Sequence, residues 1–363
     1  MNTFGKTIGL TIFGESHGLS IGAVLDGLPS GEAIDWDAVR TEMARRAPGK
    51  NKMSTARSEK DAFEVQSGFF NGHTTGTPLC AIIRNSDQHS RDYDQLRHIM
   101  RPGHADYSGK IRYGGFNDYR GGGHFSGRLT APLVFAGAVA SQILARHGIT
   151  VGSHILRLAG IADKPFDAAG ETASTLQALK KETLPVLDKA QAGPMEEKIL
   201  EAKNDLDSVG GVIECMVTGL PAGIGDPFFD SVESQLSHMM FSVPAVKGIE
   251  FGDGFALADL RGSQANDAFY YDGDAVKTRT NHNGGINGGI TNGMPVVFRL
   301  AVKPTASISQ KQETIDTDTK ENCDLVIKGR HDPCIVQRAI PVVEAAAAWA
   351  ILDVCLSEKG RCW

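Results

Sequence analysis

Hydrophobic and polar positions repeat along this chain in two matching successions. Residues 23–43 (AVLDGLPSGEAIDWDAVRTEM) run from an apolar, strand-type stretch through Gly27-Leu28-Pro29 into an amphipathic segment with acidic residues at its start. Residues 215–235 (CMVTGLPAGIGDPFFDSVESQ) do the same through Gly219-Leu220-Pro221. Further on, residues 72–78 lead into LCAIIR and residues 289–295 into VVFRLAVK, both as GxTxGxP followed by a strand. Each succession closes on an alanine-rich helical run. The first holds Arg128 and Pro132 and ends near Arg146; the second holds Arg338 and Pro341 and ends near Glu358. Proline just inside a helix start costs little, because the first-turn N–H has no partner within the helix.

Matches in the same order predict an internal duplication. The expectation is a single α+β domain over 1–363, with pseudo-twofold repeats at about 6–148 and 209–358. Each repeat would be a mainly antiparallel sheet with helices, and the two would share one core. The segment 168–206 has no counterpart in the first half. It reads as a polar helical hairpin inserted between the repeats, a solvated excursion.

Composition narrows the function classes. Apolar residues make up 41% and charged residues 22% of 363, the profile of a folded globular protein. The net charge of −6 argues against a nucleic-acid binder. No window approaches about 18 uninterrupted apolar residues, so no membrane span is expected. The N-terminus has no signal-length apolar stretch, and a cytoplasmic location is expected. The six cysteines are scattered, with no CxxC pair, which reads as reduced thiols. HExxH and paired Cys/His spacings are missing, so no metal site is expected.

The chemistry concentrates in four stretches. Gly14-Glu15-Ser16-His17-Gly18 follows the strand KTIGLTIF. The basic loop at 44–61 carries Arg45, Arg46, Lys50, Lys52 and Arg57. Residues 101–128 (RPGHADYSGKIRYGGFNDYRGGGHFSGR) hold His104, Asp106, His124, Ser126 and Arg128 around three glycines. The fourth joins NHNGGINGGITNG, KPTASIS and KGRHDPC. Glycine-rich backbone entering a helix is suited to anions, and arginine forks match carboxylate and phosphate. Together the stretches predict one pocket in which arginines hold a multiply charged anion while two histidines and an aspartate move protons. No G-x-G-x-x-G fingerprint, phosphate loop or nucleophile elbow is present.

GESHG, RPGHADY, RGGG-xx-S-x-R and KGRHDPC, in this order, resemble the signature blocks of the chorismate synthase family, from about residue 8 to about residue 356. The resemblance implies a β-α-β sandwich with helices between antiparallel sheets, assembled as a homotetramer. It implies reduced FMN and a 1,4-anti-elimination of phosphate from 5-enolpyruvylshikimate-3-phosphate. An external flavin reductase would supply the reduced flavin, with NADPH only an indirect reductant. By the same resemblance His17 protonates the flavin, His104 the departing phosphate, and Asp332 helps take the substrate proton, with Ser16 and Ser126 in support. Arg46, Lys52, Arg57, Arg128 and Arg338 would clamp the substrate. His124, Phe125, Ser126, Pro244, Ala245, Gly288, Lys303, Pro304, Thr305, Ala306, Ser307 and Arg330 would contact FMN. The family's usual form after the three glycines, RSSARET, is here His124-Phe125-Ser126-Gly127-Arg128-Leu129-Thr130, which keeps the middle serine and the arginine but has histidine for arginine at 124; Lys52 also stands for arginine, and Pro244 for asparagine. The alternatives are a non-catalytic flavin- or anion-binding homologue and a metal-dependent phosphohydrolase.

Overall fold

Ile21, Ala23 and Leu25 alternate along the strand Ser20–Asp26, and their ladder partners Ile83, Ala81 and Leu79 are buried with them. Period-two alternation turns one face of a sheet to a core, and here that face meets helices. The computed structural model describes residues 1–49, 52–54, 61–86, 96–327 and 331–357. Its first sheet runs in the order Thr3–Phe4, Gly9–Gly14, Ser20–Asp26, Leu79–Arg84, Phe63–Ser67. The second runs Ile161–Ala162, Thr150–Leu158, Gly211–Thr218, Val296–Val302, Val246–Phe251. All pairings within both are antiparallel. In these orders the strands before the two Gly-Leu-Pro turns both stand third, and those after the two GxTxGxP turns both stand fourth.

The helices lie between the sheets. Thr130–Arg146 rests on the first sheet and Val336–Ser357 on the second, and the two pack on each other. A Cβ built on Gly137 would lie 2.2 Å from the Ala345 Cα, so the two backbones nearly touch. Both helices are long and apolar enough to cross a membrane by composition, which the uninterrupted-run reading did not anticipate. Their windows are 83% and 94% buried inside the protein, the signature of core helices. Pro341 falls in the second turn of its helix, deeper than a helix start. Trp36–Arg46 and Val232–Ser242 flank the pair. Asp35 caps the first through its carboxylate, accepting from Asp37 N at 2.8 Å, and Ser231 caps the second.

Segment 168–206 does not behave as a solvated excursion. It contains the helices Ala173–Leu179 and Ala192–Asn204. Met195 and Ile199, four residues apart and so on one helix face, join the main core. Leu176 and Leu179 pack on Phe166, Met216 and Val297 over the second sheet. Lys180 reaches into a buried ionic cluster, 3.2 Å from Glu42 and near Glu344, which also hold Arg45. A second cluster ties the sheet to residues just before the segment. His154 Nε2 lies 2.9 Å from Glu214 and its Nδ1 3.1 Å from Asp163, with all three side chains buried. Arg299 Nε donates to Glu214 at 2.9 Å.

Candidate active site

Where the helix layer opens beside the first turn of Val336–Ser357, the chain forms a cavity of about 810 Å³. Three element ends each supply it with a guanidinium. Arg46 is the last residue of Trp36–Arg46, Arg128 lies in the 3-10 turn Gly127–Leu129 before Thr130–Arg146, and Arg338 lies in the first turn of Val336–Ser357.

Among the described residues, Asp61 and Asp332 are the carboxylates that hold these arginines. Arg46 Nε donates to Asp61 Oδ2 at 3.1 Å, Arg128 Nη1 pairs with Asp61 Oδ1, and Arg128 Nε donates to Asn85 Oδ1 at 3.1 Å. The Asp61 side chain is fully buried. Burial alone would raise its carboxyl, but Arg46 and Arg128 hold it below the usual carboxylate range. Arg338 pairs with Asp332, and its Nε donates to the Arg46 carbonyl at 3.1 Å. Burial pulls Arg338 below the ordinary arginine value, Asp332 opposes this, and nearby Arg46 adds to it. Arg46, Arg128 and Arg338 thus converge on one site partly withdrawn from water, where an anion interacts strongly with guanidinium groups.

The triple glycine positions the histidines. Gly121, Gly122 and Gly123 all have positive φ. A Cβ on Gly121 would lie 2.1 Å from the His17 ring, and one on Gly122 would lie 3.2 Å from His104 Cε1. The glycines thus permit close approach of two imidazoles. His17 is buried behind Gly121, with its Nδ1 2.9 Å from Ser16 Oγ, which also donates to the Gly121 carbonyl at 3.1 Å. His104 is itself in the cavity wall.

The structure brings most of the predicted residues to this cavity. His104, His124, Phe125, Ser126, Pro244, Ala245, Lys303–Ser307, Asp332 and the three arginines line it. Ser126 Oγ also accepts from Arg128 N at 3.3 Å, capping the turn. His124 turns both ring nitrogens to protein groups, Gly14 O at 2.8 Å and Asn2 Oδ1 at 3.2 Å, and so ties residues 1–4 to the cavity rim. Phe125 packs on Gly109, where an added Cβ would lie 2.6 Å from its ring. Ser16 and His17 lie behind the wall and not in it, and two further predicted residues lie elsewhere in this chain. Lys52 is exposed and pairs with Glu196 at 2.7 Å, and Gly288 lies in the turn of the hairpin Ile286–Asn287 and Ile290–Thr291, neither being in the wall. Arg57 and Arg330 lie outside the described residues.

Arg101 and His331 also line the cavity, although the sequence reading gave neither a role. Their only signal was membership of the RPGHADY and KGRHDPC blocks. Burial, with the Arg101 charge adding to it, holds the His331 imidazole below its ordinary value. Its Nε2 and the Thr305 hydroxyl are buried without a hydrogen-bond partner among the described residues. Such groups are costly unless a ligand satisfies them. The volume, the cationic Lys303 and these two unmet groups fit a cofactor of flavin size with hydrogen-bonding ring atoms and a phosphate.

Comparison with known proteins agrees over the whole chain. The family model described as chorismate synthase matches residues 8–356. A chorismate synthase of Chitinophaga pinensis is 46% identical, over 99% of this chain and 98% of that protein. One of Dehalococcoides mccartyi is 45% identical over 98% and 96% respectively. A solved structure titled "Crystal Structure of Chorismate Synthase" superposes with a TM-score of 0.76 at 28% identity, covering 98% of this chain and 94% of that one.

Proposed function

Because this chain belongs to the chorismate synthase family, we propose that it catalyses the 1,4-anti-elimination of phosphate from 5-enolpyruvylshikimate-3-phosphate, giving chorismate, with reduced FMN bound. The observation that carries this reading is the convergence of Arg46, Arg128 and Arg338 on the same cavity as His104 and Asp332.

The proposed substrate carries two carboxylates and a phosphate, and each matches a planar guanidinium fork. One ring C–H bond and one C–O bond to phosphate break, and a new ring double bond forms. His104 donates a proton to the leaving phosphate, which makes it a better leaving group. Asp332, oriented by Arg338, helps take the ring proton. His17 and Ser16 hold a further proton behind Gly121. Lys303 and Pro304–Ser307, with Pro244, Ala245 and Ser126, would hold the flavin, joined by Arg330. When bound, reduced FMN supplies electron density that stabilises positive charge developing on the substrate. The matching strand orders of the two sheets support a duplicated unit. Exposed Phe228 and Phe229 are suited to an interface between copies of this chain in the homotetramer that the family reading implies. Reduced flavin would come from an external reductase.

The test is an anaerobic assay with photoreduced FMN and 5-enolpyruvylshikimate-3-phosphate, following chorismate absorbance. Product should form only with reduced flavin, and the His104→Ala variant should turn over on the order of 10²-fold more slowly. Flavin binding without turnover in the unaltered protein would replace this reading with a non-catalytic homologue.

A further inference from the structure

We propose that Asp106 is a positioning residue for His104, fixing the imidazole with its hydrogen on Nδ1 and Nε2 turned to the cavity. The proposal deepens the reading above and rests on it for the meaning of His104.

His104 lies in the turn that precedes the helix Asp106–Arg112. Its Nδ1 is 2.6 Å from Asp106 Oδ1. The same carboxylate accepts from Arg101 three times: Nε to Oδ2 at 2.7 Å, Nη2 to Oδ1 at 2.7 Å, and the backbone N to Oδ2 at 3.1 Å. Both oxygens are therefore occupied, and the carboxylate cannot turn without breaking charged hydrogen bonds. Its side chain is 8% exposed and that of Arg101 4%. Burial would raise the carboxyl, but the bonds from Arg101 and His104 hold it far below the usual range, so it is an anion and only accepts.

That settles the tautomer. Arg101 Nη2 also lies 3.1 Å from His104 Nδ1. A guanidinium only donates, so this contact would be a bond only if Nδ1 were bare. A bare Nδ1 would set its lone pair against an anionic oxygen at 2.6 Å. The hydrogen therefore sits on Nδ1 and points to Asp106, while Arg101 donates to the carboxylate. The proton that His104 exchanges is the one on Nε2. Gly122 closes the other side of the ring, where an added Cβ would lie 3.3 Å from Nε2 and 3.2 Å from Cε1. The ring is thus held between a fixed anion and a bare stretch of backbone. Arg101 is itself anchored, its Nη1 donating to Ser307 Oγ at 3.3 Å in the segment proposed to hold the flavin. The dyad therefore places the proton donor relative to that segment.

Asp106 also stabilises its own turn, so the test must separate the two roles. Ring-nitrogen NMR of the histidine-labelled protein should show His104 as the Nδ1–H tautomer in the unaltered chain. That preference should be lost in Asp106→Asn. Turnover of Asp106→Asn should fall roughly 10- to 100-fold with KM little changed, the loss seen when a carboxylate that orients a metal-bound histidine is replaced. Asp106→Glu should recover part of the loss. In the His104→Ala background, Asp106→Asn should change kcat no further. An Nε2–H tautomer in the unaltered protein, or one unchanged in Asp106→Asn, would overturn the proposal. So would an equal loss of kcat in the His104→Ala background. The tautomer is read without substrate, so absence of turnover would sink the functional reading and leave this one standing on its own measurement.

Discussion

At the scale of single residues, Arg338 shows how the cavity stores its readiness for an anion. It is one of three guanidiniums that converge there, paired with Asp332, and burial has already stripped much of its water. A charged hydrogen bond to ligand is worth about 1.5–3 kcal/mol. Arg338→Ala should therefore weaken 5-enolpyruvylshikimate-3-phosphate binding roughly 10- to 100-fold, by the same principle, while FMN affinity changes little. Separate titrations of the two ligands decide this, and equal losses would assign Arg338 to the flavin or to folding. Residues of this kind were legible in the sequence because arginine and histidine among glycines are unusual. Asp61 was not. A lone aspartate after a basic loop gives no sign that its side chain will be fully buried between Arg46 and Arg128. The glycines at 121–123 were legible as special, but spacing alone cannot say that two imidazoles lie against them.

At the scale of elements, the central helix pair was visible as two alanine-rich runs, and its closest approach can be tested. Gly137 meets the Ala345 backbone, which cannot move aside as a flexible side chain can. Gly137→Ala should destabilise the fold by about 1–3 kcal/mol, the usual range for overpacking. Denaturant titration measures it. Gly127→Ala, where an added Cβ meets nothing within 4 Å, is the control and should unfold near the parent midpoint. The segment 168–206 was misjudged because its polar residues outnumber the few that matter. Met195 and Ile199 anchor one helix, and Lys180 ends in an ionic cluster whose partners Glu42 and Glu344 lie far away in sequence. Such a long-range ionic partner leaves no local pattern to read.

At the scale of the whole molecule, stability should carry the mark of the buried His154 cluster. Burial alone would lower the His154 imidazole, but Asp163 and Glu214 raise it above its ordinary value. A raised group contributes stability below its unfolded value and loses it as pH rises through the folded one. Burial would raise Asp163 and Glu214, yet bonds from His154 and neighbouring backbone N–H groups hold both down, so their contribution disappears as pH falls through the lowered values. Unfolding free energy should thus decline on the alkaline side of the ordinary histidine range. His154→Gln should flatten that decline in denaturant titrations across pH, and superimposable curves would remove the cluster from the account. The helix pair has a consequence in time as well as in space. Thr130–Arg146 leaves the ribosome roughly 190 residues ahead of the helix that covers it, which at ordinary synthesis speeds is on the order of ten to forty seconds. For that interval the nascent chain carries an uncovered greasy rod, and the first half must wait, guarded by chaperones or by its own partial collapse, until the second half arrives to finish it.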